Sequence, residues 1–193
     1  MASRLRLLPL ACAALLIATL GGCLPGDTVR LMYHPVTPAV LPAPTAPRVV
    51  VVVFGDERGR QEIGARRNGK LFMPGSSVTE WVSRALADEL SRMGPQVSFA
   101  PSMQLAQSAR PDFIVTGAVE EVWVKEDSPT VYTATVRIRF NMANRKGTVY
   151  AEKLSSTQEK TGLPHSETAE NVLTDTLREV LGVAASKIGE AAR

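Results

Sequence analysis

The sequence predicts an α+β fold: a two-layer sandwich, with a mixed or antiparallel sheet and two amphipathic helices on one of its faces. Three patterns carry that reading. Val49-Val50-Val51-Val52-Val53-Phe54 is a continuous β-branched run, the mark of a strand buried on both faces or lying at a sheet centre. Residues 130–143 alternate, with Tyr132, Ala134, Val136, Ile138, Phe140 and Met142 on one side and Val131, Thr133, Thr135, Arg137 and Arg139 on the other. Two further segments repeat apolar residues at a spacing near 3.6, the period of a helix with one buried face.

In chain order, the folded domain is expected to span 48–193, opening on the Val run and closing that strand at Gly55. Residues 56–69 are charged and Gly-rich and end in Asn68-Gly69, a hairpin-turn dipeptide, so a short strand pair is expected over 63–67 and 70–73. Ser77 caps the next helix, with Glu80 placed to complete a capping box. Val78, Trp81, Val82, Ala85, Leu86, Leu90 and Met93 mark its apolar face, and Gly94-Pro95 ends it. Val97-Ser98-Phe99 reads as a short strand and 102–109 as a helical turn or two. A long strand follows over 112–125, then the alternating strand, the turn Asn144-Arg145-Lys146-Gly147, and another strand over 148–158. The last helix, about 167–190, takes Ser166 as its cap and Glu167 and Glu170 at its positive end. Its stripe is Ala169, Val172, Leu173, Leu177, Val180, Leu181, Ala184 and Ile188. Arg137 and Arg139 are expected on a solvated sheet face, opposite charges on the neighbouring strands.

Upstream of the domain the chain is organised differently. Residues 1–22 carry Arg4 and Arg6 ahead of a 14-residue apolar run, Leu7 to Leu20, shorter than the roughly 20 residues a membrane-spanning helix needs. The run ends in Leu20-Gly21-Gly22-Cys23, which resembles the lipobox of bacterial lipoproteins. The resemblance implies cleavage between Gly22 and Cys23, and a diacylglycerol and an N-acyl chain such as palmitate on Cys23. In diderm hosts, Leu24 in place of Asp implies transfer to the periplasmic face of the outer membrane. A plain secretory signal is the alternative. Residues 23–47 are then expected to form the lipidated Cys and a Pro-rich tether, with Pro25, Pro35, Pro38, Pro42, Pro44 and Pro47 favouring extended chain of up to roughly 70 Å. A loop lying across the domain is the rival reading.

Composition narrows the function classes. The 193 residues hold 22 Lys+Arg and 19 Asp+Glu, for a net charge of +3. Cleavage removes Arg4 and Arg6, leaving 20 basic against 19 acidic residues, so the electrostatic case for nucleic-acid binding disappears. Aromatics at 5% are a poor supply for base stacking. Two Cys cannot build a disulfide framework or a Cys-rich zinc site. His34 and His165 lack any metal spacing, and no nucleophile elbow or phosphate loop occurs. Acidic pairs occur at Asp56-Glu57, Glu120-Glu121 and Glu126-Asp127, but neighbours on a strand point to opposite faces, so Glu120 and Glu121 are not expected to act together. The densest polar group is Asp56 and Arg58 with Arg66 and Arg67 across the expected hairpin, the candidate for a functional surface patch.

From Arg48 onward the layout resembles the YajG-type family of bacterial lipoproteins. The resemblance rests on the Val strand leading into Asp56-Glu57-Arg58, the helix closing at Gly94, Asp112-Phe113-Ile114-Val115 and Val172-Leu173-Thr174-Asp175-Thr176-Leu177. Pro111 to Gly117 also resembles, locally, envelope lipoproteins of the curli-secretion and transporter-auxiliary kind. The family implies no catalytic residues. The expectation is therefore an outer-membrane-anchored periplasmic lipoprotein with a non-catalytic binding or structural role in the cell envelope. Its expected partners are the membrane, through the anchor, and an envelope protein or peptidoglycan, without nucleic acid, metal or dissociable cofactor. An auxiliary subunit of a transport or secretion complex is the alternative, and a cell-wall hydrolase the enzymatic rival.

Overall fold

A computed structural model describes residues 27–38 and 40–192; the leader, Gly22 and Cys23 lie outside them. The elements run β1 (Asp27–Val29), β2 (Arg48–Val52), β3 (Gly55–Asp56), β4 (Gly64–Ala65), β5 (Leu71–Pro74), α1 (Val78–Leu90), β6 (Gln96–Ala100), α2 (Met103–Ser108), β7 (Phe113–Ser128), β8 (Val131–Asn144), β9 (Gly147–Thr161) and α3 (Ser166–Ala191). The strands form one mixed nine-stranded sheet. One edge of β7 pairs in parallel with β2, then β3, then β4, while its other edge pairs antiparallel with β8. β9 continues the meander beyond β8. β6 extends the sheet beyond β2, and β5 and β1 extend it beyond β4.

The α+β class and the layer order follow the sequence patterns. The six inward residues of β8 are completely buried, as are nearly all of the α3 stripe. α1 and α3 pack together over this face. β2 is buried on both sides: Val49 and Val51 enter the main core, while Val50 and Val52 meet Ala100, Ala106 and Ile114 in a second cluster. The small helix α2 supplies Ala106 to that cluster, so the second face of β2 has a cover of its own.

Local details depart from expectation at the helix ends. Ser77 Oγ accepts from the Glu80 N–H at 3.3 Å, but the Glu80 carboxylate turns to Arg84 at 2.7 Å and leaves the capping box half made. Met93 lies past the end of α1 and is largely exposed rather than facing the core. Ser166 is the first helical residue of α3, with His165 in the cap position making no side-chain cap bond.

Residues 27–38 and 40–47, part of the segment read as a tether with a loop across the domain as the rival reading, lie against the domain as a strap. Val29 is fully buried in β1, and Leu31 and Tyr33 pack against the same core. The Arg30 N–H donates to Glu170 at 2.9 Å, and Thr174 Oγ donates to the Met32 carbonyl at 3.1 Å. Farther along, Gln96 Nε2 donates to the carbonyls of Ala43 and Pro44. The physical reason is a short alternation, Val29, Leu31, Tyr33, which directs apolar side chains inward before the proline-rich stretch begins.

The seam where β4 meets β7 is the tightest backbone approach. A Cβ on Gly64 would stand 2.1 Å from the Val124 carbonyl oxygen and 2.7 Å from its Cγ1. Gly64→Ala is expected to lower the unfolding free energy by about 1–3 kcal/mol in urea titration, because backbone must shift to admit the methyl.

Candidate functional surface

The sheet face turned away from α1 and α3 carries a ladder of ion pairs. Arg139 of β8 meets Glu57 at 2.6 Å and Glu120 at 3.6 Å; Lys153 of β9 meets Glu120 at 2.5 Å. Beside them Arg137 meets Glu121 at 3.2 Å. The alternation of β8 places both arginines on this face, as the sequence indicates. Glu120 and Glu121 were expected on opposite faces, yet both face outward here. The β7–β8 register shifts between Val119 and Glu121, and this bulge lets Val119 and Val122 both stay in the core while two glutamates share the outer side. Arg60 extends the polar face, its guanidinium 4.6 Å from the centre of the Trp123 ring.

The predicted patch divides. Asp56 and Arg58 do pair, at 2.7 Å, with the arginine folded down and buried. Arg66 goes elsewhere. β3 meets β7 at Val119 and β4 meets it at Lys125, so roughly 20 Å of strand separates the two ends of the expected patch. Arg66 instead bridges Asp27 at 2.9 Å and Glu126 at 3.5 Å, lies 3.4 Å from the Tyr132 hydroxyl, and covers the Phe72 ring. It latches the strap to the sheet. Arg67 is exposed and makes no ion pair among the described residues. His34 is exposed on the strap and His165 caps α3, so the two histidines serve different places. The sequence placed Arg139 opposite charges on neighbouring strands, but it gave no sign that Glu120 and Glu121 would share the outer face, because the bulge that allows this leaves no compositional mark.

The electrostatics keep these acids ionised. The Lys153 ammonium holds Glu120 below the usual carboxylate range, Arg58 does the same for Asp56, Lys125 for Asp127 and Lys187 for Glu152. Such carboxylates are poor proton donors near neutrality. Asp88 differs: burial pushes it up. It lines a hollow of about 390 Å³ between the strap and α1, with Leu31, Tyr33, Ser77, Trp81 and Arg84. At the same end, burial and then the Glu89 carboxylate, 2.6 Å away, raise the Tyr33 hydroxyl. Among the described residues no group of His, Cys, Asp and Glu is placed to hold a metal ion, and no helix is long and apolar enough to cross a membrane.

Several solved structures are similar to this chain. Protein XCC0632 from Xanthomonas campestris, of the DUF330 family, aligns over 85% of this chain and 95% of its own, at 10% identity and a TM-score of 0.61. A PelC dodecamer from Paraburkholderia phytofirmans aligns over 76% and 93% at 21% identity and a TM-score of 0.46. Lipoprotein GNA1162 from Neisseria meningitidis aligns over 75% and 99% at 13% identity and a TM-score of 0.42. The first of these establishes a shared fold. No protein-family model and no curated protein matches the chain, so the YajG-type resemblance rests on its residues alone.

Two outcomes follow from the ion pairs. Arg66→Ala strips a cation from Asp27, Glu126 and the Tyr132 hydroxyl together, and is expected to cost about 1–3 kcal/mol in chemical unfolding and to speed proteolysis within the strap. Arg66→Lys should recover only part, since an ammonium lacks the planar fork. Carboxylates with depressed folded-state values stabilise the fold above the unfolded carboxylate range and lose that contribution as pH falls through it. The urea midpoint is therefore expected to hold between pH 7 and 5 and to drop below about pH 4, with Asp88 opposing weakly.

Proposed function

We propose that this protein is a lipid-anchored lipoprotein of the bacterial envelope, held through Cys23 at the periplasmic face of the outer membrane, with a non-catalytic binding or structural role there. The observation that carries the reading is the Leu20-Gly21-Gly22-Cys23 sequence, set three residues ahead of the first strand of a folded domain. The domain's chemistry is compatible with it. The outer-face acids are neutralised by bases in a ladder instead of converging on a cleft, which suits a docking surface more than a reaction centre. Glu57, Arg139, Glu120 and Lys153 form the surface for an envelope partner, protein or peptidoglycan. Service as an auxiliary subunit of a transport or secretion complex would use this same face.

Labelling cells with an alkyne palmitate analogue, followed by membrane separation on a density gradient, tests the anchor. The wild-type chain is expected to take up label and to band with the outer membrane. Cys23→Ala should lose the label and leave an uncleaved precursor. Unlabelled wild-type chain, or label retained by Cys23→Ala, overturns the anchor.

A further inference from the structure

β9 is 15 residues long, and among the described residues it pairs only with β8, so its far edge presents a row of unpaired backbone donors and acceptors. Native proteins blunt such edges or use them, because an open strand templates another. β9 has no proline, and its one irregularity lies at the end near Tyr150, where the register with β8 shifts. Its charges have a particular order. Glu152-Lys153 stands near one end and Glu159-Lys160 near the other, with the uncharged Leu154-Ser155-Ser156-Thr157-Gln158 between them.

From this we infer that β9 pairs antiparallel with the β9 of a second copy of this chain, about a twofold axis at Ser156. In that register Glu152 lies opposite the second copy's Lys160, and Lys153 opposite its Glu159, each pair occurring twice. The faces agree. Glu152 and Lys160 both lie on the helix side, where they meet Lys187 and Asp175 of α3, and Lys153 lies on the outer side with Glu120, as alternation also places Glu159. Directly opposed residues of an antiparallel pair share a face, so all four pairs can form. Neighbouring registers lose this fit. A slip of one residue sets Glu152 against Glu159 or Lys153 against Lys160, and a slip of two opposes none of the four charges to another. A single copy therefore holds both halves of a self-complementary edge, the requirement for an isologous contact.

The test uses the chain as cells produce it, solubilised from whole cells in a mild detergent whether or not it is membrane-bound, with its mass read by light scattering across a dilution series. Glu159 is exposed and forms no ion pair among the described residues, so Glu159→Lys should leave circular dichroism and melting unchanged. It sets Lys against Lys twice across the twofold. The wild type is expected to be a dimer, Glu159→Lys to weaken it by about tenfold or more, and Lys153→Glu combined with Glu159→Lys to restore it. A wild-type monomer, a dimer indifferent to Glu159→Lys, a double variant that stays dissociated, or a complex with a different protein along β9 each overturns the pairing. The labelling experiment on Cys23 reads the anchor separately, so either reading can fail without the other.

Discussion

The backbone ladder along β7 is the constraint on which the rest of the structure depends. Its 16 residues give one edge to β8 and share the other among three parallel segments, β2, β3 and β4. Each of those segments is too short to be stable alone, and each is fixed by hydrogen bonds to a different stretch of the same strand. The positions of β6, β5 and β1 then follow, because they are stacked outward from β2 and β4. β7 can carry this load only where its neighbours come close. At Gly117 an added Cβ would fall 2.4 Å from the Arg139 carbonyl oxygen and 2.7 Å from the Phe54 ring, so side-chain bulk is excluded there.

The legible parts of the fold were those whose burial follows a regular period. β8 announced itself through strict alternation and α3 through its stripe, and both are buried as read. The Val run of β2 declared burial on both faces, though not that a six-residue helix would provide the second cover. What escaped was set by events without a periodic signature. The bulge after Val119 is one residue of irregularity, yet it reverses the side on which a glutamate falls. The strap was hidden for a related reason: three inward residues, Val29, Leu31 and Tyr33, precede a stretch in which proline dominates the reading. Arg66 shows the same limit for charge. Proximity in sequence suggested partners at Asp56 and Arg58, while the sheet delivered Asp27 and Glu126 from elsewhere in the chain.

Charge in this molecule is organised as pairs across strands more than as a field. The outer ladder joins β7, β8 and β9 and the segment after β3, and on the helix side Lys187–Glu152 and Lys160–Asp175 tie α3 to β9. With 20 basic and 19 acidic residues after position 22, little net attraction is left over for distant polyanions. Recognition on such a surface depends on the order of signs along a face, which is short-ranged and geometrically selective.

The strap has a mechanical consequence. Residues 27–34 are fastened to β5, α1 and α3, and in the sequence three residues, Leu24, Pro25 and Gly26, separate Cys23 from β1. At about 3.3–3.6 Å per residue, such a leash reaches little more than 10 Å. An acylated Cys23 would therefore hold the β1 edge nearly in contact with lipid headgroups. Under the proposed anchoring, the domain would ride close to the bilayer like a moored hull, with a restricted set of tilts, rather than sweep the space above it.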